Sequence, residues 1–196
     1  MHGSLISGSD GLDRCWWCGS DPTYLAYHDH EWGVPLRDEQ RLFELLCLEG
    51  AQAGLAWITI LRKRDNYRRA FDGFDPETMA AYGPEDEARL MADAGIVRNR
   101  LKIGAFIGNA RALLDMHDRG ETLSELVWSH QASSQPSTSA RRTVDDELAT
   151  TSPEAVALGK ALARRGFRFV GPTIIYAYLQ SSGVVDDHLA GCWRSA

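Results

Sequence analysis

The sequence predicts an all-α protein, and three observations carry that prediction. Apolar residues recur with a helical period in segment after segment. Several of those segments open on residues suited to a helix N-terminus and close at a glycine. No alternating strand of useful length and no internal repeat is present. The 196 residues suffice for one large domain or two small ones, with ordinary globular composition.

In chain order, residues 1–13 read as a flexible lead-in and residues 14–196 as a single all-α domain. Residues 38–49, DEQRLFELLCLE, start acidic, which suits a helix N-terminus, and stop at Gly50. A second helical stripe over 56–71 carries Trp57, Ile60, Leu61 and Tyr67. DPETMAAY starts from Asp75 with Pro76 at the first helical position, and GPEDEARLMADAG repeats the scheme from Gly83 to Gly95. A long helical pattern covers 97–118, and a short helix follows around 122–129. Residues 130–151 form a Ser/Thr-rich loop. From Ser152 the order Ser, Pro, Glu opens a helix that ends at Gly166.

No run of eighteen apolar residues exists, so a membrane span is not expected. The N-terminus has neither the basic nor the apolar region of a secretory signal, which points to the cytoplasm; a monomer is the default expectation. The net charge of -6 argues against a broad nucleic-acid-binding surface but leaves room for a local basic patch. One candidate patch is Arg62, Lys63, Arg64, Arg68 and Arg69. The other is Lys160, Arg164, Arg165 and Arg168.

Near the C-terminus, VVDDHLAGCW places His188 and Cys192 four apart, on one face of a helical turn. A closed zinc site needs four ligands. Cys15 and Cys18 form C-W-W-C, and His28 and His30 follow in Y-H-D-H. Spacing supports either Cys15, Cys18, His188 and Cys192 or Cys15, His28, His188 and Cys192. Four protein ligands leave no position for water, so such a metal would be structural. Cys47, in an apolar run, reads as a packing residue.

Residues 161–183 read as helix, tight glycine-bounded hairpin, helix. Gly166 and Gly171 permit close approach of a partner. The helix opening at Pro172 and Thr173 offers free N–H groups, and Arg165 and Arg168 add positive charge; the physics suits a DNA backbone. In the helix over 38–49 the stripe Leu42, Leu45, Leu46 continues into Glu49, a carboxylate on the core face. With Tyr24, Tyr27, Trp17, Trp32 and Trp57 it has the makings of a pocket for a flat, electron-poor ring.

These stretches together resemble the bacterial 3-methyladenine DNA glycosylase I family, within the helix-hairpin-helix DNA glycosylase superfamily. The matching text is RCWW from Arg14, DPTYLAYHDHEWGVP from Asp21, LFELLCLEGAQAGLAWITIL from Leu42, AGIVRNRLKIGAFIGNARA from Ala94, RRGFRFVGPTIIY from Arg164 and DHLAGC from Asp187. The resemblance implies a helix-hairpin-helix glycosylase fold with a structural zinc ion joining the N- and C-terminal segments. It selects Cys15, His28, His188 and Cys192 as ligands and demotes Cys18 and His30. It implies that Glu49, Tyr27 and Trp57 hold the base, with Trp17, Trp32 and Tyr24 lining or flanking the pocket. Leu55, beside Gly54, resembles the residue that wedges into the DNA stack.

The implied activity is hydrolytic excision of 3-methyladenine from alkylated double-stranded DNA, leaving an abasic site. In the wider superfamily a catalytic Asp lies two residues before a His, and Asp186 stands in that slot, although this family is described as lacking it. Asp186 is read here as a surface or capping residue, and Asp187 as the partner that orients His188 or caps the helix. No lysine follows the hairpin, so strand cleavage through a Schiff base is not expected. The alternatives are a non-catalytic helix-hairpin-helix module that binds damaged DNA, which would need no pocket, and a zinc hydrolase, which a closed site disfavours.

Overall fold

Six of the helix starts are set by side chains. Asp21, Asp38, Asp75, Asn99, Thr122 and Ser152 each accept a backbone N–H from the first turn of the helix they precede. The computed structural model describes residues 5–131 and 149–195. The helices are α1 (Pro22–His30), α2 (Glu39–Gln52), α3 (Trp57–Ala70), α4 (Pro76–Ala80), α5 (Pro84–Ala92), α6 (Arg100–Asp118), α7 (Leu123–Trp128), α8 (Pro153–Arg164) and α9 (Pro172–Ser181). Most of the Ser/Thr-rich loop expected over 130–151 lies outside the described residues. Among the described residues, no helix is long and apolar enough to cross a membrane.

Three local expectations change. The lead-in is in part a small sheet, because β1 (Leu5–Ser7) pairs antiparallel with β2 (Asp13–Cys15). Arg14 on β2 anchors it through Asp10 and the buried Asp29. The segment over 21–32, read from the sequence only as aromatic-rich, forms α1. Finally, α2 does not stop at Gly50. That glycine is buried, and a Cβ there would meet Phe169 at 3.3 Å and Phe106 at 3.5 Å. The position is small for packing, and Glu49 therefore lies inside the helix rather than at a fraying end.

The core gathers α2, α3, α6 and α9, with Phe71 between Phe74 (5.7 Å between ring centroids) and Phe106 (5.5 Å). α9 is pinned to α2 by the buried Tyr178 hydroxyl, which donates to Leu42 O at 3.2 Å. Ser181 lies three residues on from Tyr178 and Glu49 seven on from Leu42, so each pair shares a helix face. That register sets the end of α9 against Glu49.

Candidate active site

Glu49 is 2% exposed, and its Oε1 accepts a hydrogen bond from Ser181 Oγ at 2.7 Å. Burial pushes the carboxyl up to about 7, against the Ser181 bond, which lowers it. Ser181 in turn accepts from the Tyr27 hydroxyl at 3.1 Å. The three groups form part of a cavity of about 190 Å³ lined also by Trp17, Tyr24, Trp32, Gln52, Trp57, Ala177 and Gln180. Its walls are ring edges and faces: Trp17 lies 5.1 Å from Tyr24 and 4.9 Å from Trp32, and Tyr27 lies 5.5 Å from Trp57, between ring centroids. The indole Nε1 of Trp57 is buried with no partner among the described residues. All the expected pocket residues thus converge. Ser181, Gln52, Ala177 and Gln180 were missed. A small polar residue at a helix end has no local signal, and only the α2–α9 register reveals it.

A second cavity, of about 140 Å³, shares Tyr27, Trp57 and Ser181 with the first and opens behind them. Here Arg64 pairs with Glu31 and Arg68 with Glu44. Arg62 pairs with Asp21, Lys63 donates to the carbonyls of Ala94 and Gly95, and Arg69 to Asn66. Each member of the first basic cluster thus has a partner within the chain, although Arg62 and Arg69 stay exposed.

The residue next to Tyr27, His28, faces a different centre. Its Nε2 lies 3.5 Å from Cys192 Sγ, and the ligand atoms of Cys15, His28 and Cys192 all fall within 4.8 Å of one another. The Cys15 and Cys192 sulfurs influence one another, which raises the Cys15 thiol and lowers that of Cys192. His28 Nδ1 sits 2.9 Å from Asp29 Oδ1, which also accepts from Arg14 and from Trp193 Nε1. Burial alone would raise the Asp29 carboxyl, but the bonds from Arg14, His28 and Trp193 outweigh it and hold it well below the usual range.

His188 is not part of that group of three, but its ring lies 5.2 Å from that of His28. Its Nδ1 meets Asp186 Oδ1 at 2.7 Å, and its Nε2 is buried with no partner among the described residues. Gly33 makes room for it: a Cβ there would stand 2.6 Å from His188 Cε1. Both imidazoles thus hold Nδ1 on a carboxylate and leave Nε2 for a ligand role, the arrangement common to metal-binding histidines. Two thiols and two such imidazoles are a donor set that fits zinc. Cys18 is drawn off to the Cys15 carbonyl at 3.0 Å, and His30 is exposed.

The aspartate roles differ from those expected. Asp186 orients His188, accepting also from its backbone N–H at 3.2 Å, whereas Asp187 accepts from Tyr176 (2.5 Å) and Gln180 (2.6 Å). Residues 186–189 are irregular and lead into a turn at 190–191, not the expected helix; the side-chain contacts of Asp186 and Asp187 and Gly191 at φ 88° accompany that path.

On the outer surface, Leu55 is 41% exposed in the α2–α3 loop, behind Gly54 at φ 80°. Lys102 supports that loop from beneath: its buried ammonium donates to Ala51 O at 2.7 Å and Ala53 O at 2.8 Å, and burial lowers it. Gly166 and Gly171 bound an exposed hairpin, and Asn109 brackets it, accepting from Arg168 N and donating to Arg168 O. α9 starts at Pro172 and the exposed Thr173 with no side-chain cap, so its first N–H groups are free of a capping side chain. Arg168 is exposed, as are Lys160 and Arg164. Arg165 departs from expectation: it is paired with Glu121 and donates to Ala161 O, which leaves its charge committed inside the fold.

A methyladenine glycosylase family model matches residues 17–195. The chain belongs to the methyladenine glycosylase family. It is 52% identical over 181 residues to DNA-3-methyladenine glycosylase 1 of Escherichia coli K12, covering 92% of this chain and 96% of that protein. Among solved structures, a crystal structure of a 3-methyladenine DNA glycosylase I superposes with a TM-score of 0.87 at 50% identity, covering 92% of this chain and 98% of that one. The 3-methyladenine DNA glycosylase I of Staphylococcus aureus, solved to explain its recognition of 3-methyladenine, gives 0.83 at 36% identity, covering 90% of this chain and 93% of that one. The family membership agrees with the all-α reading and with the resemblance drawn from the sequence.

Proposed function

We propose that this chain is a monofunctional DNA glycosylase that flips 3-methyladenine out of alkylated double-stranded DNA and hydrolyses its N-glycosidic bond, leaving an abasic site. The observation that carries this reading is Glu49, a buried carboxylate facing an aromatic-walled cavity large enough to admit a ring. Methylation at N3 makes the adenine cationic. Glu49 then accepts from the amino group and offsets the charge, while Tyr27, Trp57, Trp17, Trp32 and Tyr24 supply ring faces and edges. The C1′–N9 bond breaks with its electron pair passing to the base, which leaves neutral. Water bonds C1′ and releases a proton. Neutral adenine lacks the charge that makes the bond labile, so part of the selectivity is chemical.

Leu55 would fill the gap left by the flipped base, and Gly54 lets the loop present it. The hairpin, Gly166 to Gly171, would bring the uncapped start of α9 at Thr173 against a phosphate, with Arg168 beside it. Arg165 would shape the hairpin rather than touch DNA. Cys15, His28, His188 and Cys192 would hold one zinc ion, which would close the N-terminal segment onto the C-terminal one and do no hydrolytic work. Action as a monomer is part of this reading. The test is incubation with methylated duplex DNA and chromatography of the released bases. Free 3-methyladenine is expected, and none at enzyme excess would overturn the reading.

A further inference from the structure

Ser181 and Ser182 stand side by side at the end of α9 and behave differently. Ser182 does what a serine there ordinarily does, donating to a carbonyl in the preceding turn, Leu179 O at 3.3 Å. Ser181 makes no such local bond. Its hydroxyl instead bridges two side chains far away in sequence, accepting from Tyr27 at 3.1 Å and donating to Glu49 at 2.7 Å. It lines both cavities, so it stands in the wall between them.

The directions of these bonds follow from counting protons. An ionised carboxylate only accepts, so Ser181 must give its single proton to Glu49. Having none left, it can only accept from Tyr27, whose own proton is thereby used. What remains facing the cavity from this edge is acceptor capacity alone: a lone pair of the Tyr27 oxygen and the second oxygen of Glu49. Gln180, also in the lining, has its amide nitrogen engaged by Asp187 at 2.6 Å. A cationic base beside Glu49 favours the carboxylate and so holds the relay in this direction. The lining also carries donors outside this relay, the Tyr24 hydroxyl, the indole N–H groups of Trp17, Trp32 and Trp57 and the Gln52 amide.

The geometry points to Ser181 as a specificity-determining residue: by taking the Tyr27 proton and giving its own to Glu49, it presents an all-acceptor edge that accepts a 6-amino purine cation and rejects a 6-oxo one. The inference rests on the reading of the cavity as the base pocket. An exocyclic amino group brings two N–H donors to that edge. A 6-oxo group brings lone pairs, which would face lone pairs with no proton to share, and buried polar groups left unpaired in this way discriminate strongly. Removing the Ser181 hydroxyl releases the Tyr27 proton, which can then be offered to a 6-oxo group.

The experiment compares the native chain with Ser181→Ala and Ser181→Thr on methylated duplex DNA, which carries 3-methyladenine and 3-methylguanine together. Single-turnover release of each base is followed by chromatography, and binding of each free base by NMR titration. The expected result is that Ser181→Ala raises the ratio of 3-methylguanine to 3-methyladenine release about tenfold, that binding preference moves the same way, and that Ser181→Thr restores the native ratio. A Ser181→Ala protein that slows release of both bases equally, with binding preference unchanged, overturns the inference and leaves Ser181 a packing residue. Failure of Ser181→Thr to restore the ratio when Ser181→Ala has moved it also counts against the hydroxyl. If the native chain releases neither base but binds 3-methyladenine in preference, with that preference lost in Ser181→Ala, the Ser181 role stands and the glycosylase reading falls. If it binds neither base, both fall.

Discussion

Tyr27 and His28 are consecutive residues on α1, and they serve two centres of opposite character. Tyr27 belongs to the pocket, where a buried carboxylate and a hydroxyl face an open cavity. His28 belongs to the cysteine–histidine clasp, where the polar atoms face one another and no residue of the ring is exposed. The two share a wall. Trp32 lines the pocket and also lies 4.5 Å from the His188 ring and 6.2 Å from the His28 ring. The pocket keeps polar capacity unspent for a ligand. The clasp turns its thiols and imidazoles toward one another at the meeting of the N- and C-terminal segments, and Trp32 packs against both of its histidine rings.

Breaking the pocket has the largest expected effect. Glu49→Gln lowers 3-methyladenine release about 10²–10³-fold in single-turnover assays, while the circular dichroism spectrum stays native. Its effect on stability runs the other way. Burial lifts Glu49 from an ordinary 4.5 to about 7, so the folded chain holds this proton more tightly than the unfolded one. The stability it contributes is present below 4.5 and is lost as pH rises through the folded value, on the order of 3 kcal/mol in all. Glu49→Gln is therefore expected to be more stable than the native chain at pH 8 and not at pH 4, measured by urea unfolding. In the native chain, kcat/KM for release rises with pH through about 7 as the carboxylate forms in the free enzyme.

Breaking the clasp inverts that pattern. Metal analysis of purified variants is expected to find zinc lost from His28→Ala and from Cys15→Ser, and retained in Cys18→Ser, whose thiol is turned to a backbone carbonyl. Asp186→Asn is expected to weaken zinc binding about 10–100-fold and to leave release within about threefold at saturating zinc. A larger rate loss than that would move Asp186 from the clasp into the chemistry. The outer surface responds least in stability. Leu55→Ala lowers release from duplex DNA about tenfold by removing the wedge, yet changes unfolding free energy by no more than about 0.5 kcal/mol because the side chain is exposed.

Several capped helices could be read from the chain alone. Asp38, Asp75 and Ser152 were visible as starts because a cap is a local device, completed within one turn. α1 was not visible, because its buried residues, Tyr27, His28 and Asp29, are consecutive and largely polar and form no apolar stripe. The β1–β2 pair was hidden for a similar reason: three-residue strands show too little alternation to register. The Arg165 ion pair with Glu121 spans 44 residues and could not be read from spacing, so its charge looked free.

The sequence by itself determined the all-α class, several helix starts and the aromatic, acidic, cysteine and histidine residues of both centres, since those depend on local propensity and on motif. Which histidine nitrogen meets which carboxylate, that Asp186 rather than Asp187 orients His188, and that Ser181 closes the relay between Tyr27 and Glu49 were decided only by tertiary structure. Those contacts depend on where α9 and the C-terminal turns come to rest against α1 and α2. A register shift of one residue would send the Ser181 hydroxyl to another face of the helix, and no local signal in the chain records that choice.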